Sequence, residues 1–340
     1  MAQKILPKKE LGNWLEGLAK DSQLWVPKRE GLKVQWAGFD GEGMELEFIN
    51  THLSPKHLFF PQTECMMSFI NDPAHPQGMI MTPTPPMEGT QVVVGVRPCD
   101  AAAFSLLDRI FCQDEYTDDP YWRDKREKTT LVGLACNRPG PYCFCTSVGG
   151  SPHGTTGLDV LMVDVGEELV LNALTDKGKA LIEGLKDAPA EAVDKAAELK
   201  SKAEGAMEVI DTSRITKKSV MELYEQPFWE EIATTCLNCG TCTFCCPTCH
   251  CFDIQDEVMG LAGRRVRNWD WCMSWLFTQH GSGHNPRPTK THRVRQRFMH
   301  KFSYIPIKRD GIIGCVGCGR CVELCPVNID VREVIKLMNS

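Results

Sequence analysis

The feature that most constrains this chain is a cysteine motif that occurs twice in its carboxyl-terminal third. Both copies read C-x2-C-x2-C-x3-C-P, over residues 236–247 and 315–326. Three closely spaced thiolates can surround one corner of a cubane [4Fe-4S] cluster, while the fourth cysteine leads to the other cluster. The spacing therefore predicts two [4Fe-4S] clusters. The expected ligand sets are Cys236, Cys239, Cys242 and Cys325 for the first, and Cys315, Cys318, Cys321 and Cys246 for the second.

Two other uses of cysteine compete with this interpretation. Structural zinc takes four ligands, usually in two pairs with a longer gap, whereas each copy here has three evenly spaced cysteines and a fourth before proline. A disulfide scaffold is typical of exported proteins, and residues 1–9 lead into polar sequence rather than into the apolar core of a signal peptide. With 18 cysteines in 340 residues, we expect a cytoplasmic metalloprotein without a membrane span.

The amino-terminal part of the chain alternates apolar runs with a helical pattern. Residues 91–96 (QVVVGV) and 129–135 (TTLVGLA) are typical of buried parallel strands. The apolar spacing of 101–111 predicts a helix between them, with Asp100 as its N-cap. The expected fold class is an α/β domain with a parallel β-α-β core over residues 1–215. A ferredoxin-like dicluster domain is expected over 216–340, with a basic, tryptophan-containing insertion at 252–310 between its cysteine loops.

Shorter elements are predicted ahead of this unit. Residues 11–18 have the apolar spacing of a helix. Residues 32–39 and 44–49 are expected to pair as strands around an Asp-Gly-Glu-Gly turn. The proline-rich stretch 72–90 is expected to lack regular structure.

Four further cysteines follow the two predicted strands. Cys99 comes shortly after the first strand, Cys136 directly after the second, and Cys143 and Cys145 lie within ten residues of Cys136. Ligands of open α/β sheets bind beyond the carboxyl ends of the strands, so these thiols can converge in one crevice. We expect them to hold a third [4Fe-4S] cluster. The alternative is that Cys99 and Cys136 are small buried hydrophobic residues.

The stretch between the two motifs has residues that the ferredoxin pattern does not require. Cys249, Cys251 and Cys272 are expected to pack beside a cluster, and a metal site of their own is the alternative. Between residues 260 and 310 there are eleven Lys or Arg against two Asp, although the net charge of the chain is −6. Such a segment could bind nucleic acid. We expect instead that it faces anionic clusters or an acidic protein partner, without nucleic acid.

Several short motifs together resemble the iron-sulfur beta subunits of cytosolic sulfhydrogenases. The same pattern is similar to the iron-sulfur subunit of anaerobic sulfite reductase and to iron-sulfur subunits that serve heterodisulfide-reductase complexes. The motifs are SPKHLFFPQTE at 54–64, GVRPCD at 95–100, CFCTS at 143–147, CPTC at 246–249, GHN at 283–285, HKF at 300–302 and CVGCGRC at 315–321.

The resemblance implies an electron-transfer subunit of a soluble, anaerobic oxidoreductase complex, which is not catalytic alone. It would relay electrons between two partners: a flavin-containing NAD(P)H-linked subunit, and a hydrogenase, sulfite reductase or heterodisulfide reductase. It also favours the third cluster, with Cys99, Cys136, Cys143 and Cys145 as its ligands. A second hypothesis is that the amino-terminal domain itself binds flavin or deazaflavin and transfers hydride. No G-x-G-x-x-G fingerprint supports it.

Overall fold

The computed structural model describes residues 3–112 and 118–340. Its strands are β1 (Gln3–Pro7), β2 (Gln23–Glu30), β3 (Lys33–Gly38), β4 (Thr63–Asn71), β5 (Met79–Pro83), β6 (Gln91–Val96), β7 (Thr129–Leu134), β8 (Val160–Asp164), β9 (Glu168–Ala173), β10 (Lys186–Asp187), β11 (Phe252–Met259) and β12 (Ala262–Trp269). Its α-helices are α1 (Leu11–Ala19), α2 (Pro98–Phe111), α3 (Pro120–Glu127), α4 (Asp176–Ile182), α5 (Ala190–Gly205), α6 (Val220–Tyr224), α7 (Phe228–Thr235), α8 (Thr241–Phe244), α9 (Lys290–Met299), α10 (Ile305–Lys308), α11 (Arg320–Glu323) and α12 (Val331–Asn339).

The larger sheet is mixed, with a parallel centre. Its strand order is β10-β1-β9-β8-β7-β6-β2-β3. The pairs β2/β6, β6/β7 and β7/β8 are parallel, whereas the strands toward both edges are antiparallel. The predicted strands at 91–96 and 129–135 are therefore confirmed as adjacent and parallel, with α2 between them. Their carboxyl ends meet at one edge of the sheet, which is where the third cysteine group was expected.

Helix α2 begins earlier than predicted and is capped differently. Arg97 is its N-cap and Pro98 occupies the first helical position, which suits proline because that residue needs no amide partner. Asp100 lies inside the first turn and its side chain is fully buried. The predicted capping role of Asp100 is wrong, because the carboxylate pairs with a distant arginine instead.

Two of the shorter predictions also need correction. The early hairpin joins β2 to β3, so its turn lies at residues 31–32 rather than at 40–43. Residues 44–49 do not form a strand, although Glu45 donates its amide to the Pro27 carbonyl at 2.8 Å. The proline-rich stretch contains β5, an edge strand of a second sheet, where proline is tolerated. The helix predicted at 11–18 is confirmed as α1.

The second sheet joins the insertion to the amino-terminal region. Its order is β11-β12-β4-β5, with every pair antiparallel. Arg267 on β12 is 2% exposed and pairs with Glu64 on β4 and with Asp119, the N-cap of α3. Arg264 and Arg265 pair with acidic residues on β11. Much of the charge of the insertion is therefore used within the chain.

Three apolar cores hold these elements together. Two of them lie on opposite faces of the large sheet, and Phe104 and Leu15 are buried examples from each. The third is formed mainly by residues 210–338 and includes Trp229, but it also contains Phe144 from the Cys143–Cys145 loop. The domain boundary at 215/216 stays a prediction. Among the described residues, no helix combines the length and apolar character needed to cross a bilayer.

Candidate metal centres

The two cysteine loops have the same backbone geometry. Asn238 and Gly317, each two residues after the first cysteine of its motif, have positive φ of 56° and 63°. Their amides donate to the sulfurs of Cys236 and Cys315, each at 3.4 Å. Gly240 and Gly319 then have φ of 76° and 77° and precede the short helices α8 and α11. Backbone amides aimed at sulfur are the hydrogen bonds that stabilise thiolates bound to iron.

The first predicted ligand set lines a single cavity. Its cysteines come from the first loop and from the end of the second motif: Cys236, Cys239, Cys242 and Cys325. Apolar side chains such as Met273 and Phe298 complete the walls, and Arg297 supplies a positive charge. The amide of Ile329 donates to the Cys325 sulfur at 3.2 Å, as the amide of Asn238 does to Cys236. Four convergent thiols with amide donors and an apolar wall fit a [4Fe-4S] cluster.

The second set also converges, around the sulfur of Cys246. This sulfur interacts electrostatically with Cys315 and with Cys318, and Cys321 interacts with both of those residues. The hydroxyl of Thr248 lies 3.2 Å from the Cys246 sulfur. Cys246 therefore lies beside the cysteines of the opposite loop, and its role as the fourth ligand of their cluster stays a prediction.

Burial makes free thiolates costly at these positions. It raises the pKa of Cys242 to about 11 and that of Cys318 to about 12. Metal ligation requires deprotonated sulfur, so iron would have to provide the compensating positive charge. Within residues 3–112 and 118–340, no three His, Cys, Asp or Glu side chains are spaced to hold a single metal ion. This is compatible with a cubane, in which each thiolate binds a different iron.

The third set of cysteines is brought together as the strand ends predicted. Cys136 interacts electrostatically with Cys99, Cys143 and Cys145. Burial raises the pKa of Cys145 to about 12, and the guanidinium of Arg97 hydrogen-bonds to the Cys136 side chain. These four residues fit a cluster in their donor chemistry and in their convergence.

The loop that carries Cys143 and Cys145 lies directly on the second cysteine loop. The amide of Phe144 donates to the carbonyl of Gly317 at 2.8 Å. A Cβ added to Gly317 would lie 2.5 Å from the backbone of Phe144 and Cys145, and one at Gly319 would lie 2.7 Å from the backbone of Tyr142. Only glycine allows this approach. The third group of thiols is consequently a neighbour of the second.

A buried ion pair joins the same two groups from the other side. Arg320 donates to both carboxylate oxygens of Asp100, at 2.6 and 2.8 Å, and the two side chains are 1% and 0% exposed. Asp100 follows Cys99 in the chain and Arg320 precedes Cys321. Arg320 also donates to the carbonyl of Thr51 at 2.9 Å. Each end of this ion pair is therefore adjacent to a candidate ligand.

Residues near position 50 take part in the site, although no role was predicted for their side chains. The amide side chain of Asn50 donates to the Cys318 carbonyl at 2.8 Å. Lys56, 2% exposed, donates to the carbonyl of Cys249 at 2.7 Å. The sequence signal for the buried role of Lys56 is its position just ahead of the apolar run 58–60.

Arg97, which follows β6, also takes part in the site. It donates to the carbonyls of Leu134 and Ala135, both at 3.1 Å, at the carboxyl end of β7.

The remaining cysteines divide into two kinds. Cys245, Cys249 and Cys272 interact with ligand candidates of the two cysteine loops, and Cys251 interacts with Cys249 and Cys272. Cys65 lies on β4, where its thiol is 3.6 Å from the Met67 carbonyl. Cys112 follows α2, and burial raises its pKa to about 11.

Comparisons with known proteins agree with this chemistry. The sequence profile of a family described as a 4Fe-4S dicluster domain matches residues 235–329, which contain both cysteine loops. The chain is also similar to sulfhydrogenase 2 subunit beta of Pyrococcus furiosus, with 28% identity over 302 residues, covering 86% of this chain and 84% of that protein. No solved structure matches the chain significantly. The resemblance to sulfhydrogenase beta subunits and the prediction of an iron-sulfur dicluster domain are confirmed.

Proposed function

We propose that this chain is an electron-relay subunit with three [4Fe-4S] clusters, acting between a terminal reductase or hydrogenase and a flavin-containing NAD(P)H-linked subunit. The ligands are the two dicluster sets together with Cys99, Cys136, Cys143 and Cys145. Its relative is by name part of a sulfhydrogenase, which supports a place in a multi-subunit redox complex. Iron-sulfur clusters, when bound, accept and donate single electrons, with potentials tuned by burial and by hydrogen bonds to sulfur.

The observation that carries this proposal is the contact between the third cysteine loop and the second. The hydrogen bond from Phe144 to Gly317, at 2.8 Å, lies between two groups of candidate ligands. A relay requires redox centres that lie next to one another and are shielded from solvent. A single isolated cluster site on the surface would not need this close backbone packing.

The residues around the third group have roles that suit a relay. Arg97 supports Cys136 and donates to backbone carbonyls at the carboxyl end of β7. The Asp100–Arg320 pair holds the turn after Cys99 against the second loop. None of these three residues is placed as a nucleophile or a general base, and all three act by positioning sulfur ligands and by setting the local charge.

Iron analysis tests the third cluster. Anaerobically purified protein should hold at least about twelve Fe and twelve sulfide per chain, from three cubanes. The Cys99→Ser variant should lose about four Fe, while Cys112→Ser, which changes a thiol outside every candidate set, should lose none. Equal iron in Cys99→Ser and in the wild type would refute the third cluster.

A second measurement addresses the partner and the competing flavin hypothesis. The isolated chain should release no flavin on denaturation. NAD(P)H should reduce its clusters, seen as a loss of visible absorbance, only when a flavin-containing NAD(P)H oxidoreductase is added. Stoichiometric flavin in the isolated chain would favour hydride transfer in the amino-terminal domain. Reduction by NAD(P)H without any added protein would lead to the same conclusion.

A further inference from the structure

Lys301 is buried beside the second ligand set and has no part in the relay as proposed above. It lies in a π-helical segment, His300–Tyr304, and is 6% exposed. Its ammonium donates to the Thr248 hydroxyl at 2.7 Å and to the Gly314 carbonyl at 3.2 Å. π-Helical turns are rare and frequently occur at functional sites. This turn holds a lysine in the interior of the dicluster region.

Both acceptors of the Lys301 ammonium lie beside ligands of the second set. Gly314 precedes Cys315, and its amide donates to the Lys301 carbonyl at 2.7 Å. A Cβ added to Gly314 would lie 3.1 Å from the Lys301 Cα, so the two backbones approach closely. The Thr248 hydroxyl lies 3.2 Å from the Cys246 sulfur. Lys301 is consequently fixed between Cys246 and Cys315.

The charge of Lys301 is balanced by sulfur. Among the described residues, no carboxylate pairs with its ammonium. Burial lowers the pKa of Lys301, but the sulfurs of Cys246, Cys249 and Cys315 together raise it more. The ammonium therefore stays charged, and two of these three sulfurs belong to the second ligand set.

A second lysine reaches the same region from the amino-terminal part of the chain. Lys56 donates to the carbonyls of Cys246 and Cys249 at 3.2 and 2.7 Å. Its ammonium also lies 4.0 Å from the ring centroid of Trp269. Burial lowers the pKa of Lys56, although the sulfurs of the same two cysteines oppose this shift. Lys301 is thus the better candidate for a permanent positive charge.

A fixed cation acts unequally on the two redox states of a cluster. A [4Fe-4S] cluster with four thiolate ligands is anionic and gains one more negative charge on reduction. A nearby positive charge therefore stabilises the reduced state more than the oxidised state. The effect is larger in the protein interior than in water, because the interior screens charge less.

We propose that Lys301 raises the reduction potential of the second cluster through its buried positive charge. It is a positioning residue, because it acts through Thr248 and Gly314, which lie beside the ligands, and through the local charge. The role rests on the proposed function, since it presupposes the second cluster. An electron that enters the relay would be held at this cluster more readily than it would be without Lys301.

Redox titration followed by electron paramagnetic resonance tests this role. Cys318→Ser identifies the second-cluster signal, which that variant alters or loses. Lys301→Met should lower the midpoint potential of this signal by about 59 mV or more, which corresponds to a one-electron reduction at least about tenfold less favourable. Lys301→Arg, which keeps the charge, should lower it clearly less. Lys308→Met is the matched control, because it removes a lysine charge at an exposed position on α10, and it should leave the midpoint unchanged.

Iron analysis separates this role from the proposed function. Wild-type protein with fewer than about eight Fe would overturn the relay and this role together. Lys301→Met protein with wild-type iron and an unmoved second-cluster midpoint would overturn the charge role alone. An equal drop in Lys301→Arg would also rule it out, because packing rather than charge would then set the potential. If Lys301→Met assembles no second cluster, Lys301→Gln, whose amide can still donate to Thr248, has to show the lowered midpoint.

Discussion

Replacing Gly317 by alanine tests the contact between the third and second cysteine loops. The new Cβ would lie 2.5 Å from backbone atoms of Phe144 and Cys145, which cannot rotate away as a side chain can. Alanine at φ +63° costs about 1–2 kcal/mol by itself. Overpacking against a fixed backbone adds about 1–3 kcal/mol. The variant should therefore be destabilised by about 2–5 kcal/mol, with the Cys143–Cys145 loop pushed off its neighbour.

Gly149→Ala is the matched control, because Gly149 has φ +84° and no atom within 4 Å of an added Cβ. It should show only the backbone cost of about 1–2 kcal/mol. Cluster loss during unfolding is irreversible, so the assay is the rate at which visible iron-sulfur absorbance decays in anaerobic urea. A remaining difference of about 1–3 kcal/mol corresponds to decay up to about 5- to 150-fold faster for Gly317→Ala. Equal rates for the two variants would refute the contact.

Three further predictions concern charge and metal. Asp100→Asn should destabilise the protein by about 3–5 kcal/mol in anaerobic urea unfolding, because it removes the counter-charge of the buried Arg320 guanidinium. The control Asp256→Asn, in the exposed pair with Arg265, should change the stability little. Burial lowers the pKa of His153 to about 4. The imidazole is therefore protonated below about pH 6.5 in the unfolded chain, but only below about pH 4 in the folded chain. Stability should fall as the pH falls through this window, and His153→Gln should reduce that slope in unfolding measured from pH 7 to 4. Removing iron with a chelator should lower the thermal midpoint and expose Trp229, which is 1% exposed, as seen by a red-shifted fluorescence.

The parts of this site that could be predicted from the sequence are those set by local spacing. The C-x2-C-x2-C loops share one backbone geometry because their three cysteines lie only three positions apart in the chain. The convergence of Cys99 with Cys136 could also be predicted, because two apolar runs with a helix between them form parallel neighbours. The carboxyl ends of such strands necessarily meet.

The partners that could not be predicted are joined across long stretches of chain. Arg320 and Asp100 are 220 positions apart, and Asp100 has the residue type and position of a helix N-cap, which is a purely local use of a carboxylate. The pairing of β12 with β4 likewise follows from packing and leaves no periodic trace in either strand. For the same reason the approach of Cys272 to Cys251 carried no spacing signal, since β11 and β12 separate the two residues in the chain.

Buried charge offers the physical link between the basic insertion and the cysteines. Lys56, Arg97, Arg297 and Lys301 are each no more than 6% exposed, and they donate to backbone carbonyls, a hydroxyl or sulfur. Burying four such cations is costly unless anions are close by. Cubanes with four thiolate ligands are anionic, so their assembly would convert this cost into attraction. Within the basic segment 260–310, Arg297 and Lys301 face these sulfurs, whereas Arg264, Arg265 and Arg267 pair with acidic side chains of the same chain.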